Sequence, residues 1–306
     1  MKSKLRYLFS QFAGSLLGGS SCPNCGCRFS RRVDRKWLVS QLRQCDECSV
    51  NFRWPADRAD TAETLYQDAY RQAGLTTDLP RNSELESLLS ANLRNSEKDF
   101  RHYTNLLVEL AAVQGKDPGD SAVVDYGANW GYFLYQLARA GFSRAVGVEV
   151  SRPRRCFGED RLGVSYADSD KIPACSVDIL ISLHVIEHLP RPDILFENAF
   201  RLLRPGGALV IECPNGSSSA RKLDYWSAQW GQVHPFYVSD EFLIRRLSRL
   251  GFTGSVISPE LLRCEDGFSG VSDRHSEIVE ASTLPLNSRM PSTGSLLFVG
   301  RKAGVM

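Results

Sequence analysis

The 306-residue sequence contains no run of eighteen or more apolar residues, and we therefore predict no transmembrane helix. It also lacks any extreme of composition: 42% of its residues are hydrophobic and 24% are charged, which is typical of a globular protein. Its nine cysteines are odd in number, which argues against the disulfide framework of a secreted protein. We therefore expect a reducing, cytoplasmic location.

The charge of the chain is unevenly distributed. Residues 1–55 carry ten Lys and Arg against three Asp and Glu, a balance of +7, and the remainder carries −5. A basic end can meet phosphates on nucleic acid, lipid or a nucleotide-linked substrate, or it can be a solvated face. Residues 1–20 weakly resemble a signal peptide, but the near-helical spacing of their Leu and Phe residues favours an N-terminal helix or tail with peripheral membrane contact.

Four of the cysteines form two C-x-x-C pairs separated by nineteen residues: Cys22 with Cys25, and Cys45 with Cys48. Each pair brings two thiolates together from one tight turn, and two such turns complete a tetrahedral site. We predict a zinc ribbon over 21–58, with structural Zn²⁺ supplying the free energy that so small a module needs to fold. A redox C-x-x-C pair is the alternative, but no thioredoxin-like strand and helix surround it.

The rest of the chain divides into a helical connector or cap over 59–118 and an α/β domain over 119–306. The last connector helix, beginning near residue 95, is expected either over a ligand pocket or packed on the edge of the sheet. Apolar strands that alternate with helices predict a doubly wound, mostly parallel sheet of seven strands. A polar segment, 264–294, is predicted to be a long loop. The strands are expected at 123–125, 145–150, 164–168, 177–182, 208–212, 254–257 and 295–300.

Ligands of such sheets bind at the carboxyl ends of the strands, near the topological switch point. Glycines after the first strand let the backbone approach a ligand, and Asn129 can adopt the left-handed conformation where another glycine might sit. An acid near the end of the second strand, Glu149, can accept both hydroxyls of a ribose. The polar residues and glycines expected at this edge are Asp125, Gly127, Asn129, Gly131, Glu149, Asp168 and His184.

Five motifs in order resemble the class I S-adenosylmethionine-dependent methyltransferases, here preceded by a zinc ribbon. The loop is not the G-x-G-x-x-G of a nicotinamide-binding Rossmann fold, which is the structural rival. The family's usual middle glycine is replaced by Asn129. The motifs are Asp125-x-Gly127-x-Asn129-x-Gly131, Val146-Gly-Val-Glu149, Ala167-Asp168-Ser169, the run from Val177 to His188, and Leu203-Arg-Pro-Gly-Gly207.

The resemblance implies a set of cofactor contacts. Asp168 and His184 have an alternative interpretation, as a helix cap and a loop residue. Glu187 and His188 are expected to anchor the helix after the fourth strand, with His188 alternatively facing the pocket. By resemblance, Gly127, Asn129 and Gly131 line the amino-acid part of S-adenosylmethionine, Asp125 orders this loop, Glu149 holds the ribose, Val150 lies beside the adenine, Asp168 and Ser169 meet the adenine amine, and His184 adjoins the methionine portion.

The segment after the fifth strand is expected to roof the acceptor pocket. His234 is the candidate general base, or else it holds this loop by a hydrogen bond. Trp226 and Trp230 either wall an acceptor or pack the lid. The resemblance favours a small-molecule or glycan acceptor. A ribosomal RNA base is the alternative acceptor, because the basic N-terminal end would suit phosphates. A non-catalytic cofactor-binding scaffold is the third hypothesis.

Overall fold

The structure is a computed structural model that describes residues 21–36, 40–56, 78–231, 234–262, 277–283, 285–288 and 293–304. The predicted N-terminal helix over 1–20 therefore lies outside the described residues, as do most of the first half of the connector and much of the 264–294 segment. Among the described residues, no helix is both long enough and apolar enough to cross a membrane.

The described chain alternates strands and helices after a short all-β segment. The strands are β1 (Ser30–Lys36), β2 (Ser40–Cys45), β3 (Asn51–Trp54), β4 (Ala122–Tyr126), β5 (Arg144–Val148), β6 (Val177–Leu183), β7 (Leu203–Pro214), β8 (Phe236–Tyr237), β9 (Phe252–Ile257), β10 (Asn287–Ser288) and β11 (Ser295–Lys302). The helices are α1 (Asn82–Ser90), α2 (Arg101–Val113), α3 (Tyr132–Arg139), α4 (Arg152–Leu162), α5 (Asp193–Leu202) and α6 (Asp240–Arg249).

The larger sheet has seven strands in the order β10-β9-β11-β7-β6-β4-β5. Strands β5, β4, β6 and β7 run parallel, and β11 lies antiparallel between β7 and β9. Six residues of β6 are buried, as a strand covered by helices on both faces requires. The predicted Rossmann-like α/β class is confirmed. The strand order reverses at β4, which has β5 on one side and β6 on the other, and a ligand site is expected at such a topological switch point.

The predicted third strand, 164–168, is not formed. Only a single bridge joins Tyr166 to Gly147, and the two backbone hydrogen bonds that link the segment to β5 both involve Gly147. The Tyr166 side chain packs in the space that Gly131, Gly147 and Gly158 leave open. The seventh strand is instead the two-residue β10, within the segment predicted to be a loop, where residues 277–281 are also helical.

Helix α2 packs on the face of the sheet. Leu106, Leu107 and Leu110 are fully buried and belong to one apolar cluster with Val123 and Ile179. These last two residues lie in the central strands β4 and β6, so the helix covers the middle of the sheet and not its edge. The expectation that this helix packs on the edge of the sheet is therefore wrong, and the expectation that it lies over a ligand pocket stays a prediction.

The N-terminal module forms an antiparallel sheet in the order β1-β2-β3-β8. Its fourth strand, β8, comes from the larger domain, more than 180 residues later in the chain. The backbone N–H of Arg53 donates to Pro235 O at 2.7 Å, and Asn51 Nδ2 donates to Gly216 O and Tyr237 O at 2.9 and 3.0 Å. The module is therefore fastened to the segment that follows β7.

Candidate active site

The loop after β4 contains three residues with left-handed backbone. Gly127, Asn129 and Gly131 have φ angles of +91°, +52° and +82°. Glycine adopts this region freely, and asparagine does so more readily than most residues, so Asn129 has the conformation expected of it. The N–H groups of Gly127 and Ala128 donate to Val148 O at 2.7 and 3.1 Å, which fastens the loop to the end of β5.

Neighbouring side chains fill the space that side chains on the two loop glycines would need. A Cβ added at Gly127 would stand 2.2 Å from a methyl of Val185, and one added at Gly131 would stand 2.7 Å from Tyr166 Oη. The Tyr166 hydroxyl donates to Asn129 O at 2.9 Å. The glycines are thus required by the packing of the loop against two other segments, in addition to any ligand.

Two acids lie beneath the loop. Asp125 is 4% exposed, and burial, reinforced by the charge of Glu149, raises its pKa from 3.8 to about 8. Glu149 accepts hydrogen bonds from the backbone N–H of Asn129 at 3.0 Å and of Ser151 at 2.8 Å. A carboxylate has about four acceptor positions, so Glu149 organises the loop and keeps capacity to accept hydroxyls.

Beyond Glu149 the surface opens into a cavity of about 410 Å³. Val150, 68% exposed, lies at this cavity. Asp168 is exposed and pairs with Arg155 at 2.6 Å, while Ser169 O accepts from Arg201. Asp168 is thus linked to the cavity by its ion pair with Arg155, which lines it. The residues lining the cavity are Val150, Arg152, Arg155, Cys156 and Glu159.

His184 follows β6 with a left-handed φ of +55°. Its ring stands between two buried glutamates: Nδ1 lies 3.4 Å from Glu187 Oε1, and Nε2 lies 3.4 Å from Glu212 Oε1. The side chain is 46% exposed. His184 is therefore placed at the carboxyl end of the sheet, and both ring nitrogens face protein carboxylates.

Three groups that sequence reasoning did not join come together beside this histidine. The ligand-bearing atoms of Glu187, His188 and His234 all lie within 4.8 Å of one another. The two imidazole rings meet edge to face with centroids 4.6 Å apart. Burial of Glu187 opposes ionisation, but the contact with His184 and the electrostatic interactions with His188 and His234 outweigh it and lower the pKa of this acid to about 2.

The segment that carries His234 is held by packing. Trp226 and Trp230 are 4% and 1% exposed, so they pack the lid and do not wall an open pocket. Trp226 Nε1 donates to Asn215 O at 3.1 Å. His234 Nδ1 lies 2.6 Å from Gln229 O, the loop-holding hydrogen bond that was the alternative to a role as base.

The four cysteines of the two C-x-x-C pairs converge. Their sulfur atoms all lie within 4.8 Å of one another, with Cys22 and Cys48 3.7 Å apart and Cys25 and Cys45 3.5 Å apart. Cys27 is separate, since its sulfur accepts from the N–H of Phe29 at 3.4 Å. Four thiolates at this spacing match the donor set of a closed structural zinc site.

Residues 96–255, more than half of the chain, match the family model described as a methyltransferase domain. The chain belongs to this family, and its sheet and glycine loop place it among the class I S-adenosylmethionine-dependent methyltransferases, as the sequence motifs predicted.

Three similar proteins illustrate the relationship. An uncharacterised methyltransferase of Mycobacterium tuberculosis is 29% identical over 145 residues, 40% of this chain and 54% of that protein, so the match spans about half the length of such relatives. An uncharacterised 37.1 kDa protein in transposon TN4556 of Streptomyces fradiae is 24% identical over 76% of this chain and 68% of its own. Geranyl diphosphate C-methyltransferase from Streptomyces coelicolor has 18% identity and a TM-score of 0.46, covering 72% of this chain and 81% of its own.

Proposed function

We propose that this protein transfers a methyl group from S-adenosylmethionine to a small-molecule or glycan acceptor. The observation that carries the proposal is the loop of Gly127, Asn129 and Gly131 held between β5 and the buried pair of acids Asp125 and Glu149. A cationic ligand with a ribose and a base fits this arrangement. Asp125 can balance the positive charge, Glu149 can accept the ribose hydroxyls, and the cavity lined by Val150 can hold the base.

The position of each residue supports one contact with the cofactor. Gly127, Asn129 and Gly131 would cradle the amino-acid portion, and Asp125 would balance its positive charge. Glu149 would accept the ribose hydroxyls while it holds the loop. Val150 would cover one face of the adenine, with Asp168 and Ser169 near its amine. His184 would stand beside the methionine portion, at the carboxyl end of β6.

When bound, S-adenosylmethionine supplies a methyl group on a sulfonium: an acceptor lone pair forms the new bond to carbon, and the carbon–sulfur electron pair stays on sulfur. The chain's own residues position the acceptor and exclude water. An acceptor hydroxyl must also lose a proton, and the Glu187–His188–His234 cluster is one group of titratable side chains near the carboxyl end of the sheet.

A polar cavity supports an oxygen-rich acceptor. It has a volume of about 350 Å³ and lies between β1 and the segment after β7. Arg31, Arg32 and Arg221 line it together with Ser217, Ser218 and the acids Asp240 and Glu241. Guanidinium groups bind phosphate or carboxylate oxygens, and serines bind sugar hydroxyls. A charged glycan or a nucleotide-linked sugar therefore suits this face.

RNA is the second candidate acceptor, because Arg28, Arg31 and Arg32 are exposed on the N-terminal module. Against it, four thiolates with one divalent ion contribute about −2 there, and the large aromatics Trp226 and Trp230 are buried and unavailable for base stacking.

We further propose that Cys22, Cys25, Cys45 and Cys48 hold one structural Zn²⁺. The sulfur spacing supports this, since the four atoms already surround one point. The donor set has no open position, so the ion would stabilise the module and take no part in chemistry.

The test is transfer of labelled methyl from S-adenosylmethionine by the purified full-length protein into separated nucleotide-sugar, glycan and RNA fractions. We expect label in a sugar-bearing fraction and its loss in Glu149→Ala. Label confined to RNA would replace the acceptor class, and no label in any fraction, with the cofactor bound, would favour a scaffold.

A further inference from the structure

We propose that Glu187, His188 and His234 form a binding site for a divalent first-row transition metal, separate from the four cysteines. The three side chains supply two imidazole nitrogens and one carboxylate, all within 4.8 Å of one another. Two imidazoles and a carboxylate suit ions such as Zn²⁺, Fe²⁺ or Mn²⁺ and leave coordination positions open.

The spacing is close to that of a bound ion. Ligand atoms that share a metal at about 2.1 Å lie roughly 3 to 4 Å apart. The observed limit of 4.8 Å therefore requires only small side-chain rotations. Glu187 and His188 are fixed by the short helical turn Ile186–His188, and His234 comes from the segment that the N-terminal module holds.

Glu187 provides an independent sign of a missing cation. The residue is 1% exposed, and neither of its carboxylate oxygens has a hydrogen-bond partner among the described residues. Its contact with His184, at 3.4 Å, lacks hydrogen-bond geometry. A buried carboxylate without hydrogen bonds is unfavourable unless a charge compensates it. A cation held with His188 and His234 would supply that charge.

The hydrogen bond that His234 makes leaves one of its ring nitrogens available to a metal. Gln229 O can only accept, so the 2.6 Å contact places the proton on Nδ1 and leaves the lone pair on Nε2. Metal-binding histidines usually donate their second N–H to a carbonyl or carboxylate in this way, which fixes the ring. The hydrogen bond that holds the loop and the role in the site are thus compatible.

The proposed metal site lies next to the glycine loop of the cofactor site. Val185, one residue before the turn, packs against Gly127 of the cofactor loop. An ion bound at the turn would therefore adjoin the cofactor site, and its open positions could take a hydroxyl oxygen of the acceptor and lower the pKa of that hydroxyl. This last step rests on the proposed function, and it makes His234 a metal ligand in place of a general base.

The experiment uses full-length protein with its cysteine site loaded with zinc, titrated with Mn²⁺ and followed by electron paramagnetic resonance. Mn²⁺ prefers oxygen and nitrogen donors to thiolates, so we expect one Mn²⁺ per chain beyond the zinc. Pulsed spectra of the wild type should show couplings to two imidazole nitrogens. His188→Ala, His234→Ala and Glu187→Gln should each weaken binding at least about tenfold, since even second-shell losses reach that size.

His102→Ala is the matched control, because His102 lies in α2 and outside the cluster; its affinity should equal that of wild type. Wild-type protein that binds no Mn²⁺, Co²⁺ or Zn²⁺ beyond the cysteine site, or bound Mn²⁺ without imidazole couplings, would overturn the proposal. Binding of S-adenosylmethionine is measured in parallel. Metal binding without methyl transfer would remove the proposed function alone, and methyl transfer by protein that binds no second metal would remove this site alone.

Discussion

Asp34, in the N-terminal module, accepts a hydrogen bond from Trp230 Nε1 at 2.9 Å, across 196 residues of sequence. The same carboxylate oxygen accepts from Ser227 Oγ at 2.7 Å. Lys36 covers the Trp230 ring, 4.5 Å from its centroid, and donates to Trp230 O. These contacts, with the β3–β8 pairing, hold the lid segment that carries His234. The module thus supports the segment that follows β7, while β4 and β5 support the glycine loop.

Loss of the zinc should impair methyl transfer more than cofactor binding. In Cys25→Ser we expect zinc content to fall and the transfer rate to drop at least about tenfold, because the lid loses its support. Affinity for S-adenosylmethionine should stay within about twofold, since the glycine loop is held by hydrogen bonds to Val148 and Tyr166 and not by the module. Metal analysis, calorimetry and initial rates measure these quantities. Cys27→Ser is the control and should keep its zinc; equal loss in both variants would contradict the assignment.

Asp34→Ala tests the link without touching a cysteine. Trp230 is 1% exposed, so its indole N–H would be left buried without an acceptor, at a cost of about 1–3 kcal/mol in the free energy of unfolding. Denaturant titration measures that cost, and Asp46→Ala, an exposed acid of the same module, should change it little. In the double variant with Trp230→Phe the donor is also gone, and the two effects should be clearly less than additive.

Much of the larger domain was predictable because its central strands are buried on both faces. Continuous apolar runs gave β4, β6 and β7 a strong signal. Helix α4 offers no such signal: Gly158 is its one buried residue, and the sequence shows no apolar stripe. Residues 164–168 mimic a strand but stop at one bridge, because tertiary packing of Tyr166 overrides local preference.

The cofactor loop could be read from glycine spacing, since left-handed backbone restricts residue type. The cluster around His234 could not, because His188 and His234 are 46 positions apart in the sequence and come together where β8, paired with β3, packs against the turn that carries His188. No local pattern encodes that pairing. Likewise, the sequence predicts the convergence of the four cysteines but not the docking of their module on the lid.

Gly127→Ala should be strongly destabilising. Its φ of +91° disfavours any side chain, and the new Cβ would stand 2.2 Å from a Val185 methyl. We expect a loss of at least about 2–3 kcal/mol, combining backbone strain and overpacking. Gly163→Ala has a similar φ of +66° but open space around it, and it should cost only about 1–2 kcal/mol. Chemical denaturation compares them, and adding Val185→Ala should restore part of the loss in the first variant alone.

Asp125 should make the unliganded protein less stable as pH rises. Its pKa is raised from 3.8 to about 8 in the folded state, so the folded chain retains a proton that the unfolded chain has released. Stability therefore falls between about pH 4 and pH 8, by at most about 1.4 kcal/mol per pH unit, and levels above. Asp125→Asn cannot titrate, and relative to wild type it should gain free energy of unfolding between pH 5.5 and 8.5. Urea titrations across this range measure the difference in free energy of unfolding between the two proteins, in which the contributions of other titrating groups largely cancel.

A difference independent of pH would show that the carboxyl of Asp125 is already ionised in the folded chain. Saturating S-adenosylmethionine should reduce the slope, because its positive charge favours the ionised form of Asp125.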